Sequence, residues 1–123
     1  AGHLFVSDTY NHCIRQIRDG IVTTVTGHPF KQGYQDGPFG IARFNKPRGI
    51  TFDENGNLIV CDWGNNRIRE IDLKDRLVTT IAHSEKKICN MPICISQYRN
   101  ALFVMGLSES IHVIRKVLSW KIQ

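Results

Sequence analysis

The sequence predicts an all-β fold made of repeated four-stranded antiparallel sheets. A phrase that occurs twice is the first observation, because "DTYNHCIRQI" begins at Asp8 and "DWGNNRIREI" begins at Asp62, 54 residues later. Secondly, the segments between turn residues are short and rich in β-branched residues, which favours strands over helices. Thirdly, these strands carry apolar residues in both side-chain directions, which indicates sheets covered on both faces.

The composition is that of one ordinary globular domain. The chain has 123 residues, of which 41% are hydrophobic and 22% charged, with a net charge of +5. The charge is spread as +3 over 1–50, 0 over 51–100 and +2 over 101–123. A nucleic-acid binder usually gathers its basic residues in one patch or stripe. The four cysteines form no C-x-x-C pair, so we expect reduced cysteines and a cytoplasmic location.

The repeat extends beyond the opening phrase. Positions 4, 6, 8, 11, 14, 15 and 17 carry the residues of positions 58, 60, 62, 65, 68, 69 and 71, and "VTT" recurs at 22–24 and 78–80. A third, degenerate copy follows in "LFVMGLSESIHVI" at 102–114. The segment 108–122 also carries a helical stripe at Ile111, Ile114, Val117 and Leu118. The alignment with the other copies favours strands there.

The elements follow in order along the best copy. Four strands are predicted at "GITF", "LIVC", "RIREI" and "LVTTIA". Asn55-Gly56 predicts a tight hairpin between the first two, and Asp19-Gly20, in "RDG" at 18–20, marks another turn in the first copy. Residues 27–46 are a Gly-rich connection, and a loop of this length in a compact domain is functional or specially packed.

These residues resemble the NHL-repeat family. "YNHCIRQI" keeps the Asn and His of the motif at Asn11 and His12, with Cys13 in the place of Leu. The phrase "DGPFGIARFNKPRGITFDENGNLIVCDWGNNRIREI", from Asp36 to Ile71, is similar to the eukaryotic form of the repeat. The resemblance covers 4–83 and fades over 84–123.

The resemblance implies a β-propeller, in which four-stranded blades pack face to face around an axis. One blade takes 44–54 residues here, so the chain holds about two and a half blades, too few to close a ring. We expect a blade remnant at 3–27, an inter-blade loop at 28–46, a complete blade at 47–83 and a degenerate blade at 91–123. The chain is then part of a longer, six-bladed propeller, or separate chains complete the ring.

The resemblance also implies that the loops between second and third strands share one face with the inter-blade loop. This gathers aromatic and basic side chains that a peptide or an RNA would use, or that would only pack blade on blade. The partner-binding candidates are Tyr10, His12, Lys31, Tyr34, Arg43, Trp63 and Arg67. The repeated positions are predicted to be structural, because a catalytic group is needed only once. They are Asp8, Asn11, Arg15, Asp62, Asn65 and Arg69.

The function predicted is a non-catalytic module for protein–protein interaction, whose partner is another protein or the missing blades. RNA binding is the alternative, resting on Tyr34 and on Lys31, Arg43, Lys46 and Arg48. A propeller enzyme of the lyase or lactonase type, with a metal on the axis, is less favoured. The five histidines share no repeated ligand position and no catalytic motif is present. We therefore predict no catalytic residue, metal ligand or cofactor, and no membrane association.

Overall fold

A computed structural model describes residues 3–83, 92–98, 101–106 and 111–115, and these residues form three antiparallel sheets. The first sheet has the order β1-β2-β3 and contains β1 (His3–Asp8), β2 (Cys13–Arg18) and β3 (Ile21–Gly27). The second, here called the middle sheet, has the order β4-β8-β7-β6-β5. Its strands are β4 (Gly37–Pro38), β5 (Pro47–Phe52), β6 (Leu58–Asp62), β7 (Arg67–Asp72) and β8 (Leu77–His83).

The third sheet has the order β11-β10-β9. Its strands are β9 (Pro92–Tyr98), β10 (Ala101–Gly106) and β11 (Ile111–Arg115). The predicted all-β fold is therefore confirmed, and Ile111–Arg115 within the ambiguous segment 108–122 form a strand. Residues 108–110 and 116–122 of that segment lie outside the described residues.

The connection 28–46 is not only a loop. Its short strand β4 pairs with β8, Gly37 opposite Val78 and Pro38 opposite Leu77, so the middle sheet has five strands where four were predicted. Proline has no N–H for a ladder, which suits the edge position that Pro38 takes. The sequence signal for this strand is too short to distinguish from a loop.

One face of the middle sheet packs against the first sheet and the connection. Leu58 and Val60 point to this side, into a buried cluster with Ile14 of β2 and with Phe39 and Phe44 of the connection. The same cluster takes Ile71 and Val78. The apolar residues at even positions of β6 thus belong to the core between the first sheet and the middle sheet.

The opposite face of the middle sheet packs against the third sheet. Ile59, Cys61 and Ile68 are fully buried in one cluster with Val104 of β10. Both faces of β6 are consequently withdrawn from water, as the sequence predicted. Burial of this kind supplies about 25 cal/mol for each Å² of apolar surface.

The two predicted turns have the geometry that their residues favour. Asp19 and Gly20 both have positive φ, at 52° and 77°, as a two-residue hairpin turn requires. Gly56 has a φ of 82°, and the carboxylate of Asp53 accepts the N–H groups of Asn55 and Asn57 at 2.8 and 2.9 Å. Glycine at these positions therefore has a conformational reason.

Across the described residues, none of the helical segments has the length and apolar character that crossing a bilayer needs.

Candidate functional site

The repeated phrase forms the same turn in both copies. After β1 and after β6 the chain makes one turn of 3-10 helix, Thr9–Asn11 and Trp63–Asn65. His12 and Asn66 close these turns in the left-handed region, with φ of 56° and 53°, which His and Asn tolerate better than most residues. Thr9 Oγ1 of the first turn donates to the carbonyl of Pro47, and Asp62, which precedes the second turn, pairs with Pro47. Both turns therefore lie at the start of β5 and share one end of the molecule.

A buried ion pair supports the turn of the middle sheet. Arg69 Nη1 donates to Asp62 Oδ2 at 2.6 Å, and both side chains are 0% exposed. Asn65 Nδ2 donates to the same carboxylate at 2.7 Å, and the N–H of Asn45 donates to its other oxygen at 2.9 Å. Burial raises the pKa of Asp62, and the Arg69 charge and the donors of Asn65 and Asn45 oppose that rise. The carboxylate is thus fully hydrogen-bonded, as a buried charge must be.

Arg69 also holds the connection 28–46. Its Nη2 donates to Asp36 Oδ1 at 2.9 Å and to the carbonyl of Gln35 at 2.8 Å. Its Nη1 donates to the carbonyl of Arg43 at 3.0 Å. Thr80 also binds Asp36: its N–H donates to Oδ2 at 3.1 Å and its hydroxyl donates to Oδ1 at 3.0 Å. One guanidinium and one threonine therefore fasten the connection to the middle sheet.

The cluster of Asp36, Asp62, Asn65, Arg69 and Thr80 is called the hub below. Two arginine–aromatic stacks lie beside this hub. Arg67 lies over the ring of Tyr34 at 4.3 Å, and the hydroxyl of Tyr34 hydrogen-bonds Thr80 Oγ1 at 2.8 Å. Arg48 lies over the ring of Trp63 at 4.6 Å. The amide of Asn65 bridges the two stacks, because its Nδ2 donates to the carbonyl of Gly33 at 2.8 Å. Of the candidate residues, Tyr34 and Arg67 are thus in contact, and Trp63 lies two residues from Asn65 in the same turn.

The other candidate residues separate into two groups. Arg43 and His12 make contacts within the protein: Arg43 Nη1 donates to the neighbouring carbonyl of Ala42 at 2.8 Å, and His12 Nδ1 accepts the N–H of Lys46, 34 residues later, at 3.1 Å. Burial, followed by the Lys46 charge, lowers the pKa of His12. Tyr10 and Lys31 are exposed on the surface, Tyr10 with 71% of its area accessible.

The first copy of the repeat makes a smaller version of the hub. Arg15 Nε donates to Asp8 Oδ2 at 3.0 Å, and its Nη1 donates to Thr24 Oγ1 at 2.6 Å. Asn11 Nδ2 donates to both oxygens of Asp8 at 3.1 Å. The Arg15 and Asp8 side chains are 23% and 33% exposed. Within the part of the chain that the structure describes, the side-chain hydrogen bonds of this set run between its own members, and none fastens a connecting segment.

Two members of the hub were missed by the sequence analysis. Asp36 lies in the connection and Thr80 in the repeated "VTT", and neither was singled out. The signal was present, because Thr24 and Thr80 occupy matching positions and Asp36-Gly37 begins the long family-like phrase. The described part of the chain holds no group of three or more His, Cys, Asp or Glu arranged to bind a metal ion. Cys13 and Cys61 are buried free thiols, and burial raises the pKa of Cys13.

Antiparallel sheets packed face to face, two of which carry the same turn and the same Asp–Asn–Arg set, define blades of a β-propeller. Residues 44–71 match the NHL repeat family. The chain is an NHL-repeat protein.

Curated relatives of this chain are much longer than it is. It is 39% identical over 75 residues to Protein SUPPRESSOR OF QUENCHING 1, chloroplastic, of Arabidopsis thaliana, a match that covers 58% of this chain and 7% of the relative. It is 30% identical over 101 residues to NHL repeat-containing protein 2 of Homo sapiens, covering 78% of this chain and 14% of that protein.

Solved structures share the fold at low identity. A protein of unknown function from Bacteroides thetaiotaomicron matches with a TM-score of 0.83 and 21% identity, over 92% of this chain and 32% of that one. A virginiamycin B lyase from Staphylococcus aureus, crystallised as an inactive variant with quinupristin, matches with a TM-score of 0.53 and 19% identity, over 96% and 39% of the two chains.

Proposed function

We propose that this chain is part of a non-catalytic propeller module that binds another protein through the end carrying both 3-10 turns. This end is called the turn face below, and it comprises residues 9–12, 28–34, 46–48 and 63–67. The observation that carries the proposal is the pair of stacks, Arg67 on Tyr34 and Arg48 on Trp63, held at one end of rigid sheets. Tyrosine, tryptophan and arginine are the residues that dominate binding energy at protein interfaces.

The chemistry of the stacks supports a polar partner surface. The Nε1 of Trp63 and the Nε of Arg48 are buried, and neither has a hydrogen-bond partner among the described residues. Both nitrogens lie beneath the surface, so a partner would contact the outer parts of these two half-buried side chains. Around the stacks, Tyr10 and Phe30 expose 71% and 88% of their area. Exposed aromatics beside the guanidinium groups of the stacks suit a surface with apolar side chains and carbonyl oxygens.

The rigidity of the turn face also supports recognition. The Arg69 hub fixes the connection at Asp36, and Asn65 fixes it again at Gly33. A preformed surface loses less conformational freedom on binding than a mobile loop does. Asp62, Asn65 and Arg69 are occupied in this fixing, which supports a structural role for the repeated positions in the middle sheet.

Retention of a protein partner by the immobilised full chain tests this proposal. Tyr10→Ser removes an exposed aromatic from the turn face, and Ile21→Ser removes an exposed apolar side chain from the opposite end of the same sheet. We expect Tyr10→Ser to lower the affinity for the captured protein by about tenfold or more, and Ile21→Ser to leave it unchanged.

Nuclease treatment and raised salt distinguish RNA binding from protein binding. Loss of the captured material on nuclease treatment, with binding that weakens steeply as salt is raised, would assign the turn face to RNA. Equal retention by both variants would place the interface elsewhere and contradict the proposal.

A further inference from the structure

A cleft lies between the first sheet and the middle sheet, away from the turn face. Its volume is about 350 Å³, within the range of about 300–1,000 Å³ that small-molecule sites occupy. Phe5, Gln16 and Thr23 pair directly across β1, β2 and β3, so they share one face and form the first wall. Phe39 of the connection and the hairpin 73–76, at the far end of β7 from the second turn, form the second wall. Both walls therefore belong to sheets of this chain that face each other.

The floor of the cleft is apolar. Phe5, Val25 and Leu73 are half-buried and pack against the core between the first sheet and the middle sheet, and Phe39 is a buried member of that core. The backbone at Phe39 is fixed, because Thr26 Oγ1 donates to its carbonyl at 3.0 Å. The cleft therefore offers preformed apolar surface, which favours binding of a molecule with an apolar body.

Three polar side chains that line the cleft have no hydrogen-bond partner among the described residues. They are the guanidinium of Arg76, the side-chain amide of Gln16 and the hydroxyl of Thr23. Arg76 also forms none of the ion pairs within the described part of the chain, and the described lining contains no acid. The charge of the lining is therefore positive and without a counter-charge there.

Arg76 is held over the cleft by its hairpin. Its guanidinium lies over the ring of Phe39 at 4.8 Å, a contact that uses none of its N–H groups. Those N–H groups form a planar fork that matches a carboxylate. Asp72 shapes the hairpin, because its Oδ1 accepts the N–H groups of Lys74 and Asp75 at 3.0 and 2.9 Å.

The backbone of Arg76 adopts a conformation that favours glycine. Its φ is 56°, in the left-handed region. The matching position of the first copy, two residues before the repeated Val, is Gly20 with a φ of 77°. The second copy thus keeps an arginine where the backbone prefers glycine. Strained residues of this kind concentrate at functional sites.

We propose that the cleft binds a small organic molecule that carries a carboxylate on an apolar body. Arg76 pairs with the carboxylate, Gln16 and Thr23 add hydrogen bonds, and the floor covers the apolar body. Charge complementarity supports this ligand class, because the guanidinium is the one charged group of the described lining. A neutral apolar molecule leaves the guanidinium unpaired, and an anion without an apolar body leaves the floor in water.

Phenylacetate is the probe, titrated into the isotope-labelled full chain and followed by NMR. We expect the backbone amide signals of Thr23 and Arg76 and the side-chain amide signals of Gln16 to shift together. Phenethyl alcohol has the ring without the carboxylate, and acetate has the carboxylate without the ring. Each should bind about tenfold more weakly or worse, since it loses either the charge-assisted hydrogen bonds or the apolar contact.

Arg76→Gln and Lys74→Gln remove the same charge from one hairpin, and Lys74 is exposed and does not line the cleft. We expect Arg76→Gln to weaken phenylacetate binding by about tenfold and Lys74→Gln to leave it unchanged. Arg76→Gly installs the residue of the matching position in the first copy. It should lose binding equally while keeping the urea midpoint close to that of the wild type, because glycine adopts the left-handed region without strain.

Absence of shifts at Thr23 and Arg76 would overturn the proposal. Equal affinity for phenylacetate and either of the two partial probes would do the same, and so would equal losses in Arg76→Gln and Lys74→Gln. Arg76→Gly with wild-type binding and a lowered urea midpoint would assign Arg76 a structural role only. None of these outcomes depends on the turn face, so the proposed protein-binding function is tested separately.

Discussion

The guanidinium of Arg69 lies 2.9 Å from the carboxylate of Asp36, a residue 33 positions earlier in the chain. This contact joins the middle sheet to the connection that leads into it from the first sheet. Arg69 also donates to the carbonyls of Gln35 and Arg43, and Thr80 donates to Asp36. Arg69 is therefore the main side chain that fixes the position of the connection.

Asp36→Asn is expected to loosen the connection. It replaces charged hydrogen bonds to Arg69 and Thr80 with neutral ones, and hydrogen bonds to charged groups contribute about 1.5–3 kcal/mol. Since the Asp36 side chain is 38% exposed, solvent screening reduces the loss, and we expect about 1–2 kcal/mol in the free energy of unfolding. Urea denaturation of the variant and of the wild type measures this loss in the free energy of unfolding. Asp75→Asn, at an exposed turn position, provides the control, and an equal effect there would contradict the role assigned to Asp36.

Asp62→Asn and Asp8→Asn make the same change at matching positions with opposite burial. Asn at 62 leaves the Arg69 charge buried without its fully buried partner, which costs about 3–5 kcal/mol when the remaining charge is not relieved. Asp36 relieves part of that charge, so we expect about 3 kcal/mol. At position 8 the pair is partly exposed and the loss should stay below about 1 kcal/mol. Similar midpoints for the two variants in urea would show that burial of the pair is unimportant.

Gly64→Ala tests the close approach of the second turn to Asn45. The added Cβ would lie 2.5 Å from Asn45 Cγ and 2.7 Å from its carbonyl oxygen, so the turn or the connection must shift. Overpacking of this kind costs about 1–3 kcal/mol. Gly40→Ala has no heavy atom within 4 Å of its Cβ and should unfold with the wild-type midpoint. A stable Gly64→Ala protein would mean that the turn does not need glycine.

His12→Asn tests the pH dependence of stability. The pKa of His12 in the folded chain is below its ordinary value of 6.5, so the unfolded chain binds a proton at a pH where the folded chain does not. The free energy of unfolding should therefore fall as the pH drops below about 6.5. Asn occupies the matching left-handed position at residue 66 and does not titrate. The variant should lose this part of the decline in denaturation curves measured between pH 5 and pH 7.5, and an unchanged decline would assign it to another group.

Local patterns made most of the fold predictable. The β-branched segments, the Asp19-Gly20 and Asn55-Gly56 turns and the repeated phrase each carry their signal within a few residues, so strands, turns and repetition follow from sequence spacing. The burial of both faces of β6 also follows from the sequence, because consecutive apolar residues place apolar side chains on both faces of the strand. Strand β4 was not predictable, since two residues at an edge have no period.

The sequence by itself determined that each blade needs the same turn, and therefore that Asp8, Arg15, Asp62 and Arg69 recur. Only the tertiary structure decided that one copy is a buried hub and the other an open one. The physical reason is that an arginine's role depends on which segment covers it. Asp36 reaches Arg69 across 33 residues of chain, and no local pattern records that distance.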